Sequence, residues 1–204
     1  MALNGIETWI ARLRAVVDET VLRDIEPSSF VDERGTRRAV DGPLIAWLSG
    51  GSVMPIQDGG LDVWLWGALA AGEGAAGDLF CADGPLQDAD APGRGDVAIE
   101  VWTERELSAI QALWTLGVER AEPALRERAE AAARWCVEEM QPDNATAHPW
   151  GVNAFAALSA TGDIEAELYA QTLVHNAQVG TGRLGRFANL VLVGSLRSLE
   201  SARA

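Results

Sequence analysis

Stacked antiparallel helical hairpins, arranged as an open arc or solenoid in an all-α protein, are the fold that this sequence predicts. Three observations carry the expectation. Apolar residues recur every three to four positions over most of the chain, the period of a helix with one buried face. Glycine, proline and aspartate fall between the periodic runs, where helices start and stop. AIQALWTLG at 109–117 and NAFAALSATG at 153–162 give two helices a similar ending at a spacing of about 45 residues, within the range at which helical pairs stack.

The pattern divides the chain into an N-terminal helical portion over 1–71, a Gly/Asp-rich loop over 72–96 and a helical-hairpin portion over 97–204. Ile6, Trp9, Ile10, Leu13, Val17, Leu22 and Ile25 predict one amphipathic helix over about 5–26, closed by Pro27, Ser28 and Ser29. A polar stretch follows over 31–38. Asp41 then caps a short apolar segment over 44–48 that ends at Ser49, Gly50 and Gly51. The apolar run 61–71, with Trp64 and Trp66, has the length of a helix or a buried strand, and a helix is favoured. Residues 72–96 hold few large apolar groups. A structureless stretch of this length is unusual inside a domain and reads as a mobile loop, a linker or a functional flap.

Residues 97–102 read as a short β-prone lead-in. Thr103 and Glu106 then fit a capping box at a helix start. Leu107, Ile110, Leu113 and Trp114 form the buried stripe of that helix, and Gly117 stops it. Pro123 opens the next helix, with Leu125, Ala129, Ala132, Cys136 and Met140 on one face and Glu130, Arg134 and Glu138 on the other. His148 and Pro149 start a third helix, which Thr161 and Gly162 end. Asp163 caps a fourth that runs to about Val179. The last helix, about 185–201, is apolar on nearly all sides over 187–196 and is expected to be buried.

Composition excludes several function classes. The formal net charge of −14 repels phosphate backbones and anionic lipid, so neither nucleic acid nor a membrane is expected as a partner. All the basic residues are arginine, which removes Schiff-base catalysis and a P-loop lysine. Cys81 and Cys136, far apart, make neither a disulfide framework nor a paired metal motif. The start MALNGIETWIARL is unlike a signal peptide, and no apolar stretch approaches the roughly 18 residues of a membrane span. A cytoplasmic location is the default expectation.

Chemistry concentrates at the hairpin ends. Asp143, Asn144, His148 and Trp150 share one loop and helix start, and His175 and Asn176 lie on the next helix. His148 and His175 are the only histidines. With Asp143 they have the donor chemistry of a divalent-metal site, or one imidazole has that of a general base oriented by a neighbour. The structural alternative is equally concrete: His148 caps its helix, Asn144 closes an Asx-turn, and His175 and Asn176 bond loop carbonyls. No spacing demands a metal or any other cofactor. Asn144, Trp150, Asn176 and Trp102 are the candidate ligand contacts, the two tryptophans because both stand at helix starts. Gly180 to Gly185 spells GxGxxG but follows a helical run, which suits a helix–helix turn better than a dinucleotide site.

The segments PDNATAHPWGVNAFAAL (142–158) and AELYAQTLVHNAQV (166–179) resemble the helical hairpins of uncharacterised bacterial proteins related to the α/α-toroid group, which includes terpenoid cyclases and protein prenyltransferases. The resemblance covers about 97–202. It implies paired inner and outer helices, with any site at the rim or centre of the ring. The acid motif DxDD of the cyclases is absent, as are DDxxD and a QxxxGxW repeat. A non-catalytic helical scaffold or binding module is therefore the leading expectation. The alternative is an enzyme with a rim site at His148 and His175, acting on an apolar or carbohydrate-like small molecule. A protein partner, or a self-association that completes a ring, is compatible with either.

Overall fold

The computed structural model describes residues 2–23, 25–51, 59–72, 83–87, 98–140, 148–179 and 182–203. Among the described residues every regular element is helical: α1 (Ala2–Arg14), a 3-10 turn (Glu19–Leu22), α2 (Asp41–Ser49), α3 (Leu61–Ala71), α4 (Ile99–Glu119), α5 (Pro123–Glu139), α6 (Val152–Ala160), α7 (Ile164–Val179) and α8 (Arg186–Arg203). None of these helices is long and apolar enough to cross a membrane. Helix α4 pairs with α5, and α6 pairs with α7, as the hairpin reading expects. Helices α3, α6 and α8 also pack on α4, while α1 lies against α6 and α8.

The centre of α4 is apolar on one side and polar on others, yet nearly all of it is buried. Gln111 and Thr115 are joined in one network. Gln111 is fully buried; its Nε2 donates to the Val191 carbonyl of α8 at 3.0 Å, and its Oε1 accepts the Gly151 amide at 2.9 Å. Asn153 Nδ2 donates to Thr115 Oγ1 at 3.1 Å, and Thr115 Oγ1 meets Ser198 Oγ of α8 at 2.8 Å. Each bond adds about 1 kcal/mol net, whereas an abandoned buried partner costs about 1–3 kcal/mol. Gly194 of α8 lets this approach happen, because a Cβ there would meet Gln111 Nε2 at 3.3 Å and the Trp47 ring at 3.4 Å.

Several local expectations are corrected. The single helix over about 5–26 is broken. Helix α1 ends at Arg14, and Asp18 Oδ1 instead accepts the Thr20 amide at 2.9 Å to start a 3-10 turn. The β-branched pair Val16–Val17 weakens helix continuation, and an aspartate competes for local amides. Asn189 of α8 then replaces a backbone partner, accepting the Asp18 amide at 2.9 Å and donating to its carbonyl at 2.7 Å.

The capping box is also corrected. Helix α4 begins at Ile99, which absorbs part of the β-prone lead-in, and Thr103 and Glu106 are buried inside it. Glu106 looks outward from the helix instead, accepting the Leu86 amide at 2.6 Å and the Gln87 amide at 3.0 Å. Arg128 of α5 donates to the carbonyls of Gly84 and Pro85, each at 3.0 Å. Leu86 is fully buried. Residues 83–87 of the Gly/Asp-rich stretch are thus docked rather than free. An anchoring leucine and two charged side chains hold them on the α4–α5 pair.

Gly117 does not stop α4, which runs on to Glu119. Its role is close approach: the chain folds back so that the Glu122 amide bonds the Gly117 carbonyl at 2.9 Å, and a Cβ on Gly117 would lie 2.8 Å from the Arg126 amide nitrogen. Ala121 carries this reversal with φ of 53°, the left-handed region that favours glycine.

Two stability outcomes follow. Ala121→Gly raises stability by about 0.5–1 kcal/mol, read from denaturant unfolding, because it relieves the left-handed strain. Gln111→Leu lowers it by about 2–4 kcal/mol, because the Gly151 amide and the Val191 carbonyl lose their partner inside the core. An unchanged midpoint in either variant contradicts the corresponding account.

Candidate functional site

The site is assembled from the polar stretch before α2. Asp32 Oδ1 accepts the amides of Arg34 and Thr36, each at 2.8 Å, and Gly35, at φ of 75°, lets the turn close. This is aspartate turn chemistry, in which a short side chain substitutes for a backbone acceptor. Asp41 Oδ2 accepts the Arg38 amide at 2.7 Å, so Asp41 braces the turn before α2 with its carboxylate. Between the two aspartates, Arg38 is aimed across the molecule.

Arg38 ties four elements together. Its Nη2 donates to Asp32 Oδ2 at 2.9 Å and lies 3.1 Å from His148 Nε2. Its guanidinium carbon stands 4.1 Å from the centre of the Phe187 ring of α8. On its other side, His148 Nδ1 bonds Glu104 of α4. Arginine has only donors, so the contact at Nε2 requires a lone pair there. That places the imidazole proton on Nδ1, where it is donated to the Glu104 carboxylate. The result is an ordered relay, Arg38 to His148 to Glu104. Burial raises the Glu104 carboxyl, but the hydrogen bond from His148, with Arg38 and the Trp150 side chain in support, outweighs it and holds the group below the ordinary carboxylate range.

Beside this relay lies a cleft of about 430 Å³ lined by residues of 38–40, by Gly59, Gly60, Asp62 and Val63 at the start of α3, by Val101, Glu104, Arg105 and Ser108 of α4, and by Trp150. Trp150 in its wall is backed by two buried rings, 5.9 Å from Trp66 and 5.6 Å from Phe187 between ring centres. Ser108 Oγ is already occupied, accepting from Trp66 Nε1 at 3.1 Å.

Among the described residues, three buried atoms at this site make no hydrogen bond: Arg38 Nη1 and Asp41 Oδ1, which lie 4.0 Å apart as an ion pair, and Asp62 Oδ1, which has no such partner within that reach. Asp62 is 5% exposed. Burial pushes its carboxyl up from 3.8 to about 6, against the opposing pull of the Val63 amide and Arg105. Gly60 makes room for it: a Cβ there would lie 2.7 Å from Asp62 Oδ1.

The sequence candidates divide. His148 belongs to the relay, and Trp150 lines the cleft. His175 is exposed on α7 and Asn176 is half-buried there, and neither lines the cleft. Trp102 is buried edge-on against Trp135, with ring centres 6.1 Å apart, away from the cleft wall. Asp143, Asn144 and Cys81 lie outside the described residues. Cys136 is fully buried, and burial pushes its thiol well up, as expected of a small core residue. Among the described residues no group of three or more His, Cys, Asp or Glu is placed to hold a metal ion. The connection from α7 to α8 holds Gly182 at φ of 70°, a helix–helix turn.

Sequence reasoning missed Arg38, Glu104 and Asp62. One signal was available: Asp62 is an acid inside the otherwise apolar run 61–71. Compared with protein-family models, curated proteins and solved structures, the chain gives no significant match.

The raised carboxyl of Asp62 sets a pH dependence. Its folded-state value of about 6 exceeds the unfolded 3.8, so the folded protein holds this proton more tightly. Stability from this group is greatest below about pH 4, falls as pH rises to about 6, and is then lower by about 3 kcal/mol. Asp62→Asn removes that loss and melts above wild type at neutral pH, with the gap closing towards pH 4. A constant gap across thermal scans contradicts this account.

Proposed function

We propose that the protein is a small-molecule-binding helical module and that the cleft at Asp62 is its binding site. The observation that carries this reading is Asp62, whose buried Oδ1 accepts no hydrogen bond, in the wall of an open cleft that Trp150 also lines. Nearly all buried polar atoms in proteins are paired, and each exception asks for an explanation. A ligand donor supplies one here. The cleft volume of about 430 Å³ falls in the range of small-molecule sites. The relay of Arg38, His148 and Glu104 gives the site a preorganised wall, which lowers the ordering cost of binding. We read the α4–α5 and α6–α7 pairs as an open arc, supported by α5 meeting both α6 and α7, with the cleft at one end of α4.

A second reading, catalysis, is favoured by one observation. The cleft carries two carboxyls whose affinities for protons are pushed apart, Asp62 upward and Glu104 downward. That division suits an acid and a base. In this reading Glu104 stands where His175 was expected as the partner of His148.

Val101 is 42% exposed at the mouth of the cleft, so Val101→Trp fills the opening without touching the core. A small-molecule panel is screened by thermal shift on wild type and on this variant. A ligand at about 100 times its dissociation constant raises stability by about 2.7 kcal/mol. The reading expects a wild-type ligand whose shift is lost in Val101→Trp. Ligands that shift both proteins equally place binding elsewhere and overturn it. Turnover of such a ligand that disappears in Glu104→Gln selects the catalytic reading.

A further inference from the structure

We infer that the cleft takes a compact organic cation, an amine or amidinium on a small apolar body, whose charged group pairs with the Asp62 carboxylate while its body lies against Val63, Val101 and Trp150. The inference rests on reading the cleft as a binding site and adds the charge class of the occupant.

The unmet atom is an acceptor, so the ligand group that meets it is a donor. Charge then separates a neutral donor from a cation. The groups facing Asp62 are Glu104 and Arg105 from α4 and Arg38 from the segment before α2. The charge of Arg38 is already balanced by two aspartates. Its Nη2 is held by Asp32 and His148, its face is on Phe187, and its Nη1, which makes no hydrogen bond, lies 4.0 Å from Asp41 Oδ1. Arg105 is exposed, where water and salt screen it. Against these two cations stand Asp32, Asp41, Asp62 and Glu104. The cleft and its immediate support therefore carry an excess of negative charge, and the whole chain adds a field of the same sign from its net charge of −14.

An anionic ligand fares worse in this setting. The cations it meets are Arg38, whose charge Asp32 and Asp41 balance, and screened Arg105, and it must sit beside a carboxylate that it cannot bond. A cation gains an ion pair with a carboxylate that is itself largely shielded from solvent. Pairing also requires ionised Asp62, so binding strengthens as pH rises through the titration of that group. Glu104 adds to the attraction and Arg105 opposes it.

Calorimetric titration of the full chain tests this with three probes that share one apolar body: benzylamine, benzyl alcohol and benzoate. Wild type, Asp62→Asn and Val101→Trp are titrated at about pH 7.5 and about pH 5, with circular dichroism confirming that each is folded. Benzylamine is expected to bind wild type at least about tenfold more tightly than either other probe. That affinity is expected to fall by about tenfold or more at the lower pH and in Asp62→Asn. Equal benzylamine affinity in Asp62→Asn, or tighter binding of benzoate, overturns the inference. If the alcohol or benzoate binds best and Val101→Trp abolishes it, the cleft reading stands and the charge class falls. If no probe binds wild type at millimolar concentration, both fall.

Discussion

Gln111 is the side chain on which the arrangement of this protein turns. One amide holds the α8 backbone with its nitrogen and the start of α6 with its oxygen, while its own helix supplies the centre of the core. Apolar burial drives the helices together but has no direction, so it does not fix one helix rotation against another. Hydrogen bonds that must be made in a dry interior do fix it, because every wrong register leaves a buried group unmet. Helices α6 and α8 are therefore set relative to α4 by chemistry rather than by shape alone. The His148–Trp150 corner that precedes α6 is placed by the same contacts, because Gly151 is held through its amide.

The helices were legible because they rest on short-range rules. The periodicities over 61–71, 123–139, 164–179 and 186–203 each became a helix, and Pro123 and Asp163 mark starts as their chemistry requires, Asp163 through a 2.9 Å bond to the Ala166 amide. Two of the failures fall where a polar residue had two possible partners. Glu106 was given a local amide and took distant ones at Leu86 and Gln87, and Asp18 diverted a helix that the apolar spacing alone continued. The site was harder still. His148 and Trp150 stood out as residue types, but Arg38 and Glu104 come from segments far from them in sequence, and charged residues in polar stretches look like solvated surface. Only the fold reveals that these charges face one another.

Stability and recognition pull against each other across a short distance in this molecule. Arg38, Asp32, His148 and Glu104 form a connected network that joins the N-terminal segment to α4 and α8, with Arg38 Nη1 its one buried donor lacking a hydrogen-bond partner. Asp62, on the opposite wall of the cleft, is an unsatisfied acid that works against folding at neutral pH. A rigid support facing an unfilled demand is the economy expected of a preformed site, in which strain is tolerated only where neighbouring structure can hold it.

The buried hydroxyls of Thr115 and Ser198 have a further property. Thr115 Oγ1 is 2.7 Å from the Gln111 carbonyl, Ser198 Oγ is 2.8 Å from the Gly194 carbonyl, and the two oxygens are 2.8 Å from each other. Three short contacts therefore share two hydrogens, since each hydroxyl carries one. If both hydrogens point to the carbonyls, the two oxygens face each other with nothing between them. Either hydroxyl can instead turn to its neighbour, leaving one carbonyl to its other partners. Exchanging one such arrangement for the other turns both hydroxyls about their C–O bonds. The heavy atoms at the contact between α4 and α8 thus leave more than one placement open to the hydroxyl hydrogens that join them.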